Sequence, residues 1–425
     1  MPLTLPRLIR VGALLLAALG GQLGALPATR AAVAPYDRSF DLSQLGADGT
    51  FTAERGFGFD LGLPPLGDRP FYFSAAVPEG NYRVTVTFGS EASAGSTTVR
   101  AESRQLLAEE VAAPKGGSVE QAYTVNVRSP ELPAPPRNAP GGTHVLLNPR
   151  EGALLRWDDK LTLEFSGRAP RVRHLRIQAV STPTLFLVGD STVTDQPAEP
   201  GASWGQMLPR FFNGQVAIAN HAESGETLKS FLSGLRLAKV LSQLKAGDTL
   251  LVQFGHNDQK AQWPQTYVEA ATTYQAYLKV FVAEARLRGA TPVLVTSVQR
   301  RTFDGAGRIT NSHGDYPEAV RVVAREEGVA LIDLHEASTR LYEALGPERA
   351  PLAFSDHGRD PTHHNNYGAY QLARAVVQGL RDAGVPVAQH LRADVPRYDA
   401  SQPDPPETFY LAPSPERRFE TPRGN

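Results

Sequence analysis

The chain has 425 residues, 41% hydrophobic and 20% charged, which predicts a folded protein of more than one domain rather than a disordered one. A formal net charge of −1 provides no global field to draw in nucleic acid or anionic lipid. There is no cysteine, so disulfides, thiolate catalysis and cysteine-ligated metals are excluded, and stability rests on core burial.

Arg7 and Arg10 precede the apolar run VGALLLAALGG (11–21), and small residues follow in LGALPATRAAV (23–33). This order predicts a secretory signal peptide over 1–33, and hence a secreted or periplasmic protein. The run is short of the about twenty residues that a spanning helix needs, and no later segment is longer and more apolar. No membrane association is expected once the leader is removed.

From 34 to 181 the chain reads as short alternating strands separated by Gly/Pro turns. RVTVTF (83–88), TTVRAE (97–102), AYTVNV (122–127), KLTLEF (160–165) and HLRIQAV (174–180) each present one apolar face. SPELPAPPRNAPGG (129–142) is a long loop among them. Many short strands without intervening helices predict an all-β sandwich domain.

At Ser181-Thr182-Pro183 the texture changes. TLFLVGD (184–190), TLLVQFG (249–255) and TPVLVTSV (291–298) are nearly continuous apolar runs, as expected of strands covered on both faces. Helical patterns separate them at 230–244, 267–290, 316–328 and 367–384, with the short run VALIDL (329–334) before the last. The alternation predicts a three-layer α/β domain over 182–390. Residues 391–425, rich in proline and charge, are expected to form a C-terminal tail.

In an open α/β sheet, ligands bind beyond the carboxyl ends of the strands. Ser191 stands just past TLFLVGD, with Gly189 allowing a sharp turn. Taken alone, GDST reads more readily as a cap formed by Asp190 or Ser191 than as a nucleophile. GHND (255–258) closes a second strand, and the Asn257 amide there is a ready donor to an oxyanion, although such residues also simply build turns. Gly225, in NHAESGET after the run QVAIAN (215–220), brings a backbone N–H with no side chain in the way. In RDPTHHNNYGA (359–369), Asp360 and His363 are three apart, so that the carboxylate can orient an imidazole base for a serine. The rival reading of that segment is a metal site built from Asp356, His357, Asp360, His363 and His364.

These four blocks, in this order, resemble those of the SGNH (GDSL-type) hydrolases. GDSTVTDQP (189–197), WGQMLPRFF (204–212), VQFGHNDQK (252–260) and DPTHHNNYGA (360–369) are similar to the rhamnogalacturonan acetylesterases among carbohydrate esterases. The resemblance spans 183–385 and implies a flavodoxin-like α/β/α fold. It also implies Ser191 as nucleophile, His363 as base and Asp360 as its orienting group. The oxyanion hole is then the N–H groups of Ser191 and Gly225 with the Asn257 side chain. A second histidine, His364, follows His363, but the D-x-x-H spacing selects His363. The implied reaction removes acetyl groups from an acetylated polysaccharide or oligosaccharide and requires no metal or organic cofactor.

Within the resemblance, Trp204, His256 and Asp258 are expected to line the substrate groove, with Trp204 reading equally well as a core aromatic. Asp333 reads as a buried structural carboxylate or a strand-end cap. The β-rich region resembles galactose-binding-like sandwich modules through TTVRAESRQL (97–106) and WDDKLTLEFSG (157–167), and either binds sugar or forms one wall of the site. Another ester substrate (acetylxylan, peptidoglycan, a lipid or an aryl ester) uses the same residues. A catalytically silent carbohydrate-binding protein is the more distant alternative.

Overall fold

Val84, Val86 and Phe88 are buried on one side of their strand while Arg83, Thr85 and Thr87 lie toward the other, the period of two that gives a sheet one core face. The computed structural model describes residues 36–46 and 49–417, and the expected signal peptide lies outside them. The β-rich part holds β1 (Asp37–Asp41), β2 (Phe57–Asp60), β3 (Phe71–Ala76), β4 (Gly80–Phe88), β5 (Gly95–Ala101), β6 (Gln105–Ala113), β7 (Val119–Val127), β8 (Lys160–Ala169) and β9 (Val172–Ala179). One antiparallel sheet has the order β1-β9-β4-β7, the other β2-β3-β8-β5-β6. Phe40, Val84 and Ile177 of the first share a core with Phe73, Leu163 and Phe165 of the second, so the sheets pack face to face.

The five alternating segments fall on β4, β5, β7, β8 and β9. Strands β3 and β6 escape the pattern because β3 and the first half of β6 are buried on both sides. Leu106 of β6 belongs to the core of the following α/β part, which explains why it has no polar partner face.

The second part is built on β10 (Thr184–Gly189), β11 (Ala217–Asn220), β12 (Thr249–Gln253), β13 (Thr291–Val295) and β14 (Ala330–Ile332). All pair in parallel, in the order β11-β10-β12-β13-β14, which is the flavodoxin-like arrangement. The helices are α1 (Trp204–Met207), α2 (Leu228–Ser233), α3 (Arg236–Gln243), α4 (Gln275–Leu287), α5 (Tyr316–Glu327), α6 (Leu334–Arg349) and α7 (Asn366–Asp382). Leu185 and Leu187 of β10 pack into a cluster with Met207, Tyr342 and Leu372, from α1, α6 and α7. Phe186 and Val188 pack oppositely, with Phe231, Val240, Phe281 and Val320 from α2 to α5. Burial on both faces is why the sequence runs are continuous rather than alternating.

Three expectations need correction. The helix expected over 230–244 is two helices, because Leu235 adopts a left-handed φ of 61° between them. The long pattern at 267–290 starts with a π-type turn over Ala270–Tyr274 before α4. Residues 391–417 are more than a surface tail: Tyr398, Ala400 and Leu411 enter the core beside α7, and Arg100 of β5 donates to the Ala412 carbonyl. Asp333 is the N-cap of α6, accepting from the Glu336 N–H, and is paired with Arg321 at 2.8 Å.

Candidate active site

Gly189 ends β10 where the chain must turn tightly. A Cβ there would lie 2.6 Å from both the Gln253 carbonyl oxygen and Val193 Cγ2, so only glycine lets the turn close against β12. Asp190 takes the capping role: its Oδ1 accepts from the Thr192 N–H at 2.9 Å and from Thr192 Oγ1 at 2.8 Å. Ser191 Oγ is left to a different partner, His363 Nε2, at 2.9 Å. The two readings of GDST are thereby divided between adjacent residues.

Asp360 organises the other half. Its Oδ1 accepts the backbone N–H groups of Thr362 (2.7 Å) and His363 (3.0 Å), and its Oδ2 accepts from His363 Nδ1 at 2.8 Å. One carboxylate thus closes the turn and aims the ring. Burial works to raise the Asp360 pKa, but the His363 ring and the two backbone donors outweigh it and hold the carboxyl well below its ordinary range. An ionised Asp360 keeps the proton on Nδ1, so Nε2 faces Ser191 as an acceptor.

His364 points elsewhere. It is 1% exposed, its Nε2 meets the Tyr342 hydroxyl at 2.6 Å, and its ring stacks on Tyr342 and Phe354. Burial pushes its pKa down to about 3. Asp356 is paired with Arg359 at the surface. Asp356, His363 and His364 of the rival metal reading are therefore directed to separate partners rather than to a common point.

The Gly225 loop is laced to the strand before Ser191 by His221 N–H to the Leu187 carbonyl (2.8 Å) and Glu223 N–H to the Gly189 carbonyl (3.1 Å). Gly225 has a φ of 85°, in the left-handed region that favours glycine. Asn257 is 3% exposed, and its Nδ2 donates to the Glu226 carbonyl at 3.1 Å. That bond fixes the amide and leaves its second N–H to donate. Ser191, Gly225 and Asn257 thus follow the ends of β10, β11 and β12, around the point where strand order reverses.

The three residues expected to line the groove do not. Trp204 is 1% exposed and part of the core, its Nε1 donating to Gln253 Oε1 at 2.9 Å. Gln253 in turn donates to Thr192 Oγ1 at 2.6 Å, so Trp204 supports the turn that carries Ser191 from within. His256 is buried, with its Nδ1 facing His313 Nε2 at 3.2 Å, and burial drives its pKa well down. Asp258 is buried and accepts the N–H groups of Leu228 and Gly255, both at 2.9 Å, which ties the Asn257 turn to α2. Burial pushes its pKa up to about 8. Polar residues at strand ends are recruited here to satisfy backbone groups that the sheet has ceased to pair.

The β-rich part reaches the site by two routes that sequence patterns do not show. Arg104 donates to the carbonyls of Gln196 (3.0 Å) and Gly201 (2.8 Å), and Gln105 donates to Asp195 at 2.8 Å. Arg150 and Arg156 both pair with Glu223, two residues before Gly225. Arg156 also donates to Thr194 Oγ1 at 2.5 Å, and so links the loops that carry Ser191 and Gly225. The one signal in the chain was an arginine set among apolar residues in LLRW (154–157), which identifies a buried charge but not its partner.

A serine, an imidazole and a carboxylate in hydrogen-bonded sequence, at the carboxyl edge of a flavodoxin-like sheet, are the features of an α/β/α ester hydrolase. The profile of the GDSL-like Lipase/Acylhydrolase family matches residues 187–372, and the chain belongs to this SGNH family of esterases. It is 41% identical over 220 residues to rhamnogalacturonan acetylesterase RhgT of Bacillus subtilis (strain 168), a match covering 49% of this chain and 93% of that protein. It is 36% identical over 210 residues to the probable rhamnogalacturonan acetylesterase YesY of the same organism, covering 49% of this chain and 96% of the relative. The uncharacterized esterase YxiM, also of Bacillus subtilis, is 27% identical over 318 residues, covering 74% of this chain and 75% of its own. That last alignment is too long to fit after residue 181, so it includes part of the β-rich region. Among the described residues no helix is long and apolar enough to cross a membrane.

Proposed function

We propose that this esterase removes acetyl groups from rhamnogalacturonan or its oligosaccharides through a serine acetyl-enzyme. The observation that carries the chemistry is the unbroken chain Ser191 Oγ, His363 Nε2, His363 Nδ1, Asp360 Oδ2, with contacts of 2.9 and 2.8 Å. Ser191 Oγ attacks the ester carbonyl carbon as His363 Nε2 takes its proton. Asp360 stabilises the imidazolium. The Ser191 and Gly225 N–H groups and the Asn257 amide hold the oxyanion. Collapse of the tetrahedral species breaks the bond to the sugar oxygen, which leaves with the proton from His363. Water then adds to the acetyl-serine, giving its proton to His363, and acetate departs as Ser191 is reprotonated.

Two relatives named rhamnogalacturonan acetylesterase, each matched over more than nine-tenths of its length, support the choice of sugar ester. Polar loops near the site, QPAEPGAS (196–203) and RTFDGAGRITNSHGD (301–315), suit a hydrated substrate. Export by cleavage of a leader within 1–33 belongs to the same reading, since acetylated pectin is met outside the cytoplasm. The test is acetate release from acetylated rhamnogalacturonan by the mature protein and by Ser191→Ala, with acetylxylan alongside. Release that disappears in the variant and is greater on the pectin supports the reading. A preference for xylan overturns the substrate, and undiminished release by Ser191→Ala overturns the mechanism.

A further inference from the structure

A cleft of about 520 Å³ opens beside the Gly225 loop, within the range of small-ligand sites. Ser224, Gly225 and Glu226 form one wall, the loop from Gln262 to Thr266 another, and Asn148 of the β-rich part closes it. Resting on the reading of the enzyme as a carbohydrate esterase, we propose that this cleft is a subsite for a neutral sugar ring adjoining the acetylated residue of the substrate, with Trp263 as its stacking platform.

The lining chemistry supports this class of ligand. Trp263 and Pro264 supply apolar surface, on which the C–H face of a pyranose packs. Asn148, Gln262, Gln265 and Thr266 supply uncharged donors and acceptors suited to hydroxyls. No lysine, arginine or histidine is among the described residues lining it, and the nearby Lys260 ammonium lies against the Trp263 ring. The carboxylate that is present, Glu226, is already engaged by Arg236 at 3.1 Å and Ser230 at 2.6 Å.

The wall residues are held before any ligand arrives. The Asn148 N–H and Nδ2 both donate to Glu151 Oε1, at 2.8 and 3.3 Å. Glu151 is in turn fixed by Arg236 at 2.5 Å and by Trp157 Nε1 at 3.0 Å. Lys260 Nζ sits 4.0 Å from the Trp263 ring centroid, and the Trp263 N–H donates to the Lys260 carbonyl at 2.8 Å. Preorganisation of this kind lowers the ordering cost of binding. It also gives the β-rich part a direct role, since one of the walls is its own.

The test compares wild type, Trp263→Ala and Asn148→Ala on acetylated rhamnogalacturonan oligosaccharides, acetylated xylo-oligosaccharides, 4-nitrophenyl acetate and 4-nitrophenyl octanoate. Trp263→Ala is expected to raise KM about 10-fold on whichever acetylated oligosaccharide wild type cleaves, the loss of roughly one aromatic contact. On 4-nitrophenyl acetate it should stay within about twofold of wild type, an effect below that of any single lost contact. Asn148→Ala should move the same parameter less. Equal loss on every ester, no loss on any, or a loss confined to the octanoate overturns the subsite. The substrate reading is judged separately, by which oligosaccharide wild type prefers. If wild type cleaves only the nitrophenyl esters, both fall.

Discussion

Arg156 and Glu223 form an ion pair in which each side chain is 1% exposed, and the pair joins the β-rich part to the loop that carries Gly225. A buried pair contributes little net stability against an apolar alternative, but removing one partner strands the other. Its consequence here is positional. Arg156 grips Thr194 on the Ser191 loop and Glu223 on the Gly225 loop at once, and Arg150 reinforces the second contact.

Arg156→Ala is therefore expected to destabilise the protein by about 3–5 kcal/mol, measured by denaturant unfolding. It should also lower kcat more than it raises KM, because the oxyanion donors lose register rather than the substrate losing contacts. Arg156→Lys keeps the charge but not the fork, and should fall between the two. A variant with wild-type stability and wild-type kcat would remove the linking role.

Ser191→Ala and Asn257→Ala should separate nucleophile from oxyanion donor. The serine variant is expected to lose acyl-enzyme chemistry altogether, with kcat down by on the order of 10⁶. The asparagine variant should lose about 10²–10³ in kcat with little change in KM. If Asn257→Ala kept full kcat, the amide that is fixed by the Glu226 carbonyl would not be an oxyanion donor.

The adjacent histidines give opposite expectations. His363→Gln should be nearly inactive with stability little changed, whereas His364→Gln should retain activity within about 10-fold while losing stability, because the buried Tyr342 contact is lost. Burial sets the folded pKa of His364 below its unfolded value, so between about pH 6.5 and the folded pKa the unfolded state binds more protons. His364 thus stabilises the fold fully above about pH 6.5 and progressively less below it. The stability difference between wild type and His364→Gln should shrink with acidification by up to about 1.4 kcal/mol per pH unit, read from Tm or unfolding curves. A difference that grew on acidification would show that His364 gains rather than resists a proton on folding.

Asp360 should stay ionised across the weakly acidic range, read from the carboxyl carbon shift of the labelled residue. Asp360 has a folded pKa depressed below the ordinary value of about 3.9, so its ionised form is present throughout the weakly acidic range. The stability it contributes is present above its unfolded pKa and is lost only as the pH falls through the lower folded value. A carboxyl signal that titrates above about pH 4 would mean that Asp360 takes up a proton there, contrary to its three hydrogen bonds from Thr362 and His363.

The candidate site was legible because its signals are local. Gly189 and Asp190 before Ser191, the turn after β12, and the three-residue step from Asp360 to His363 are fixed by the chain's own geometry over a few residues. The continuous runs at 184–190 and 249–255 likewise announced strands covered on two faces, and the sheet bears them out. Trp204 is the core aromatic that was its other reading, while His256 and Asp258 are buried because a polar residue near a strand end looks the same whether it faces substrate or a buried partner. Their roles depend on Gln253, His313 and Leu228, which lie between 30 and 57 residues away in the chain.

Sequence alone thus determined the α/β layering and which residues form the candidate site, since both follow from short-range turns and from hydrophobic period. Only the tertiary structure decided what surrounds them: Arg104 and Arg156 reaching in from the β-rich part, residues 391–417 returning to pack beside α7, and Asn148 and Trp263 lining one cleft. The physical reason is that burial and charge pairing are set by surfaces brought together across long stretches of chain. No local pattern encodes which arginine will meet which glutamate.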